Sequence, residues 1–126
     1  MVFKPQEAMD SLVGGATRVD GHLLFRGGLR IDGEVHGNVI AGAEQPSYLV
    51  LGQSGRIEGE VRCDHVVVDG EIIGAVYSAE LLEILPRGRI CGDIFYKVLE
   101  MHGGASVSGR LHHGAESVLH LAVSEA

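Results

Sequence analysis

The 126-residue chain has no tryptophan and only six aromatic residues, three Tyr and three Phe, so any core it builds must be aliphatic. Two cysteines, Cys63 and Cys91, without CxxC spacing, exclude a disulfide framework and read as reduced thiols of a cytosolic protein. Basic residues are scarce, 10 Lys+Arg against 17 Asp+Glu, and a net charge of -7 excludes the basic stripe that direct nucleic-acid binding needs. No apolar run reaches the roughly 20 residues that span a bilayer, and the first residues lack a secretory-signal pattern. Helical periodicity is nearly absent too, the longest candidate being residues 6–12. The length suits one domain, not two independent cores.

Motifs for chemistry are also missing. There is no EF-hand or Gly-Gly-x-Gly-x-Asp calcium repeat, no Walker A lysine loop and no Gly-x-Ser-x-Gly elbow. Cys63-Asp64-His65 and His112-His113 suggest metal ligands, but zinc needs convergent ligands and here no paired spacing occurs. They read as surface histidines and a small buried cysteine. The expectation is no enzyme, no catalytic residue, no metal and no cofactor.

What the chain has in excess is glycine, 19 residues in all. The pattern apolar-x-Gly-x-apolar occurs six times, centred on Gly21, Gly33, Gly59, Gly74, Gly92 and Gly109. The central glycines step by 12, 26, 15, 18 and 17 residues, a mean of about 17.6, within the range of solenoid repeats. A second register keeps the same pace through Leu49/Leu51, Val66/Val68, Leu82/Ile84 and Leu99/Met101. Apolar residues two apart follow the strand period, and Val and Ile suit a pleated surface.

These observations predict an all-β chain coiled as a parallel β-helix. One coil cannot enclose a core, so neighbouring coils must supply it. About six turns fit between Thr17 and His113, a rod on the order of 30 Å at the strand spacing of ~4.8 Å. The motif glycines share parity with inward residues and are expected to make room inside, with Gly15, Gly28, Gly55, Gly70, Gly88 and Gly104 at corners. The 26-residue step contains Ala41-Gly-Ala-Glu-Gln-Pro46-Ser, read as a protruding loop. The 12-residue step is read as an incomplete first turn.

Leu29-Arg-Ile-Asp-Gly-Glu-Val-His-Gly-Asn-Val39, Gly55-Arg-Ile-Glu-Gly-Glu-Val61 and Leu85-Pro-Arg-Gly-Arg-Ile-Cys-Gly-Asp-Ile94 resemble the core of a bactofilin. The resemblance implies a single right-handed parallel β-helix domain over 16–113. Short flexible termini would flank it, 1–15 carrying a membrane-targeting segment and 114–126 forming a strand or tail. It implies a cytoskeletal subunit that joins end to end, without nucleotide, into non-polar filaments. Such filaments lie in the cytoplasm or at the inner face of the membrane, as scaffolds for cell shape or for clients such as cell-wall and positioning factors. Where many family members carry an aromatic residue in the last turn, this chain has Val107.

A β-helix ends in unpaired strand edges over a bare apolar core, which stacking would cover. The candidate polymer contacts are Val19, Leu23 and Leu24 at one end, with Val107, Leu111, Leu119 and Leu121 at the other. The opposing reading is that the apolar run at 118–123 folds back as a cap. Met1, Val2, Phe3 and Lys4 form the candidate membrane contact, three apolar residues beside a cation for anionic head groups. Asp20, Asp32, Glu34, Glu58, Glu60 and Asp93 are expected to form an outward acidic stripe that keeps rods apart. The alternatives are a left-handed hexapeptide-type acyltransferase, which would need sustained six-residue periodicity, or a monomeric partner-binding module on the same fold.

Overall fold

Short strands separated by tight corners wind the chain into six stacked coils in the computed structural model, which describes residues 9–42 and 46–113. The first coil holds β1 (Met9–Val13), β2 (Arg18–Asp20) and β3 (Leu23–Phe25). The second holds β4 (Gly28–Ile31), β5 (Glu34–His36) and β6 (Val39–Ala41). The third runs through β7 (Tyr48–Leu51) and β8 (Arg56–Glu58) into β9 (Val61–Val68), which turns a corner into the fourth. There β10 (Glu71–Ile73) leads to β11 (Val76–Ile84), which likewise turns into the fifth. β12 (Arg89–Cys91) and β13 (Ile94–Tyr96) complete that coil. The sixth consists of β14 (Val98–Met101), β15 (Ser106–Ser108) and β16 (Leu111–His113).

Equivalent strands pair in parallel from coil to coil, giving a three-sided rod. Face one stacks β1, β4, β7, the second half of β9, the second half of β11, and β14. Face two is the six-stranded sheet of β2, β5, β8, β10, β12 and β15. Face three stacks β3, β6, the first half of β9, the first half of β11, β13 and β16. This is the expected parallel β-solenoid of about six turns.

The apolar pairs at i, i+2 point inward, as their period demands. Leu49, Leu51, Val66, Val68, Leu82 and Ile84 are all fully buried, stacked on one another across face one. Nearly all of the core is Val, Ile and Leu, as the shortage of aromatics requires.

Several expectations need correction. The solenoid begins at Met9, inside the segment 1–15 expected to be a tail. Residues 6–12, the helix candidate, therefore end in strand β1, whose Leu12 and Val13 pair with Arg30 and Ile31 of β4. The motif glycines do not make room inside. They sit at the corner between faces two and three, and the column is Gly21, Gly37, Gly59, Gly74, Gly92 and Gly109, each with positive φ.

Gly33 belongs to a different corner. Ile31-Asp-Gly33-Glu-Val35 straddles the bend between faces one and two, so it imitates the motif one corner too early. With Gly37 in its place the steps become 16, 22, 15, 18 and 17, and the first coil is complete. The 22-residue step holds six residues between β6 and β7, 42–47, where the preceding coil has two, and the bends add the rest of the spread. Gly14 to Thr17, Gly52 to Gly55, Leu85 to Gly88 and His102 to Ala105 are closed by backbone hydrogen bonds of 2.8–3.0 Å. Two other coils turn there on two residues only, Asp32-Gly33 and Asp69-Gly70. Gly28, expected at a corner, lies buried in β4, and Gly27 takes the turn with φ 73°.

Close stacking is what excludes side chains from the glycine column. A Cβ on Gly59 (φ +156°) would lie 2.1 Å from the Gly37 carbonyl oxygen, and one on Gly37 would lie 2.2 Å from that of Gly21. Gly103, by contrast, has nothing within 4 Å and no such φ. Gly59→Ala is expected to destabilise the fold by about 2 kcal/mol or more, and Gly103→Ala by less than ~0.5 kcal/mol. Thermal unfolding of both variants checks this, and equal melting temperatures would contradict it.

Candidate functional site: the two ends of the rod

Ladders of inward side chains run the length of the rod and stop at both ends. On face two the ladder is Val19, Val35, Ile57, Ile72, Ile90 and Val107, joined rung to rung by the strand register. Its four middle members are at most 2% exposed, whereas Val19 and Val107 are only partly buried. On face three the ladder runs Leu23, Val39, Val61, Val76, Ile94 and Leu111. Its middle four are fully buried, Leu23 is half-buried and Leu111 is 48% exposed.

The backbone tells the same story. Strands β1, β2 and β3 pair on one side only, with β4, β5 and β6. At the opposite end β14, β15 and β16 pair only with β11, β12 and β13. Each end therefore presents three strand edges around apolar rungs that lack a next layer among the described residues.

Val19, Leu23, Val107 and Leu111 are thus the terminal rungs of two ladders, gathered in two pairs at opposite ends. Leu24 is different: it projects outward from β3 and is 79% exposed, on the side of the rod and not over its end. Leu119 and Leu121 lie outside the described residues, as do Met1, Val2, Phe3 and Lys4. Face one contributes two terminal residues that the sequence reading missed, partly buried Leu99 and 46% exposed Met101 of β14. The signal was present, because Leu99/Met101 is the last pair of its register.

The sides carry other chemistry. Face two holds no acidic stripe. Arg18 meets Asp20 at 3.1 Å, Arg56 meets Glu58 at 2.9 Å and Glu71 at 3.8 Å, and His36 lies 3.4 Å from Glu58. Asp32 pairs with Arg30 at 3.0 Å, Glu60 with Arg62, and Asp93 accepts a hydrogen bond from the Arg110 amide. These exposed pairs each contribute little stability, but they neutralise the expected repulsion. On face three an outward stack runs from the Arg62 guanidinium over Tyr77 (4.2 Å) to Phe95 and His112, with ring centroids 4.6 and 4.4 Å apart.

The metal candidates do not converge. His65 stacks on Tyr48 at 4.8 Å, and His112 on Phe95. Cys63 is buried and its thiol lies 3.3 Å from the Ser47 hydroxyl. The Ser47 hydroxyl accepts from the Asp64 amide, and the Ser78 hydroxyl donates to the Asp64 carbonyl. A cluster not anticipated is Glu83, Glu100 and His102 near the last coil, where His102 Nε2 lies 2.9 Å from Glu83 Oε2. It lies at the surface, with His102 and Glu83 joined by a hydrogen bond.

The sequence matches the bactofilin family, described as polymer-forming cytoskeletal proteins, over residues 11–112. It is 27% identical over 105 residues to bactofilin BacP of Myxococcus xanthus strain DK1622, covering 83% of this chain. The chain spans only 42% of that relative's length. Among solved structures it is similar to a Thermus thermophilus bactofilin reconstructed by cryo-EM as double helical filaments. The TM-score is 0.72 and the identity 30%, over 82% of this chain and 99% of the other.

Burial pushes the Cys63 thiol up to about 11, against the opposing pull of the Ser47 hydrogen bond. Cys91 sits exposed on face two. A thiol reagent at mildly alkaline pH is expected to titrate Cys91 alone in the folded protein and both cysteines after unfolding. Rapid reaction of Cys63 in the folded state would contradict the burial.

Proposed function

This chain belongs to the bactofilin family of polymer-forming cytoskeletal proteins, and we propose that it is a filament subunit joined end to end through the open coils at its two termini. The observation that carries this reading is the pair of ends left open among the described residues. Val19 and Leu23 at one, and Leu99, Met101, Val107 and Leu111 at the other, top ladders that are otherwise sealed from water. Stacking a second rod on either end extends the sheets and buries those rungs. Completing the burial of a half-exposed leucine contributes about 1 kcal/mol, and several act together. Hydrophobic burial and strand addition need no nucleotide and no catalysis, so the subunit is proposed to be neither an enzyme nor cofactor-dependent. The family match favours this over the hexapeptide-type acyltransferase.

Filaments of this kind would be non-polar if like ends meet like. We place them at the inner face of the cytoplasmic membrane, held by Met1, Val2, Phe3 and Lys4. Four residues bury too little area to anchor one subunit, but a filament displays many copies and turns weak sites into attachment. The role then is a scaffold to which clients such as cell-wall or positioning factors bind.

Purified protein is expected to form filaments in negative-stain electron microscopy with and without nucleotide. Leu111→Arg or Leu23→Arg should raise the assembly concentration by at least about tenfold, or ~1.4 kcal/mol, with strand-type circular dichroism retained. Monomer alone at high concentration would overturn the reading. Separately, deleting residues 2–4 should abolish co-sedimentation with anionic vesicles while filaments persist. Unchanged co-sedimentation would refute the membrane contact.

A further inference from the structure

Face one differs from the other two in what it shows to solvent. Each strand there presents two outward columns. The first runs Leu12, Arg30, Val50, Val67, Glu83 and Glu100 from coil to coil. The second runs through Gly28, Tyr48, His65, Leu81 and Val98. Leu12 is 64% exposed and Val98 48% exposed, and between them lie outward-pointing Val50, only 8% exposed, and half-buried Val67. Apolar side chains at these positions do nothing for the core, which lies on the opposite side of the sheet.

We infer that face one is the lateral contact on which a second copy of this chain packs antiparallel, joining two rods side by side. The inference rests on the filament reading above. Two features select a copy of this chain as the occupant. The first is self-complementarity. A two-fold axis parallel to the strands, between the third and fourth coils, sets each coil against its counterpart counted from the other end. Arg30 then opposes Glu83, and Val50 opposes Val67. Leu81 projects onto Gly28, which offers no side chain, and Tyr48 meets His65. At the rim Leu12 meets the stem of Glu100, whose carboxylate stays in water. A parallel arrangement exchanges the columns, sets Glu83 against Leu81 and Glu100 against Val98, and loses the charge match.

The second feature is that the structurally similar Thermus thermophilus bactofilin forms double helical filaments, and two rods wound together require a side contact as well as an end contact. The other faces suit it less. Face two would strip water from a run of ion pairs along its length, a cost that burial rarely recovers. On face one, by contrast, Arg30 and Glu83 hold their partners Asp32 and His102 only at the bend beside the strands. Face three has a single outward column, and its rings already stack on one another.

Size sets the behaviour of this contact. A face of six rungs and about four residues measures roughly 29 by 13 Å, so two copies bury about 750 Å², less than the ~1,000 Å² of a free-standing interface. Single subunits therefore do not pair. Two rods do, because every subunit adds a contact that is already aligned. Side-by-side pairing follows end-to-end growth and depends on it.

Electron microscopy of the full chain tests this. Wild-type rods are expected in pairs. Val67→Lys and Leu81→Lys should each lower the paired fraction by at least about tenfold while rods of normal length remain. Arg30→Glu and Glu83→Arg should each separate the rods, and the double variant should restore pairing, which a merely structural role for either residue would not produce. Pairs that persist in both lysine variants overturn the inference. So does loss of pairing in Ile40→Lys on face three without loss in the face-one variants. Release from anionic vesicles in Val67→Lys with pairing intact would assign the face to lipid and overturn it as well. Wild-type rods that stay single refute this contact alone, whereas absence of rods refutes the filament reading and this contact with it.

Discussion

Everything in this rod follows from the distance between hydrogen-bonded strands. Parallel pairing holds successive coils ~4.8 Å apart, and each coil must lie flat on the last. At the corner between faces two and three that spacing leaves no room for a Cβ, which accounts for the glycine column. Inside, three short strands enclose a passage that Val, Ile and Leu fill when stacked in ladders. Aromatic rings are too large to repeat there, and Tyr77 and Phe95 stack outside instead. The scarcity of aromatics and the abundance of glycine are one requirement seen from two sides.

Much of this was legible in the chain itself, because a repeat writes its period into the sequence. The inward ladders, the number of coils and four terminal rungs, Val19, Leu23, Val107 and Leu111, follow from counting residues two apart. What was not legible is instructive. Ile31-Asp-Gly33-Glu-Val35 and Val35-His-Gly37-Asn-Val39 carry the same local signal, and only pairing across coils shows that the second belongs to the column. Strand β1 was hidden because Leu12 faces outward and a single rung has no period of its own. The acidic stripe failed because the carboxylates were collected without the arginines and histidines that stand beside them in neighbouring strands.

The three faces divide the labour. Face two carries its charges as paired neighbours, a surface that stays wet. Face three stacks its rings over the later coils and leaves Leu24 exposed on the first. Face one keeps apolar residues on the outside with opposite charges near its two ends. The ends themselves expose backbone edges and the last rungs of the core. A rod with distinct ends and distinct sides can grow in one direction and associate in another, using interactions of very different strength.

The corner turns have a mechanical meaning. Strand-to-strand hydrogen bonds lie along the rod axis, so tension on a filament loads every coil boundary in series, with three faces sharing the load at each. Within a subunit, covalent chain crosses every boundary at a corner and backs up the hydrogen bonds. Between subunits no covalent chain crosses. An overstretched filament therefore parts at its joints and sheds whole, folded subunits, which can rejoin as soon as the force is gone.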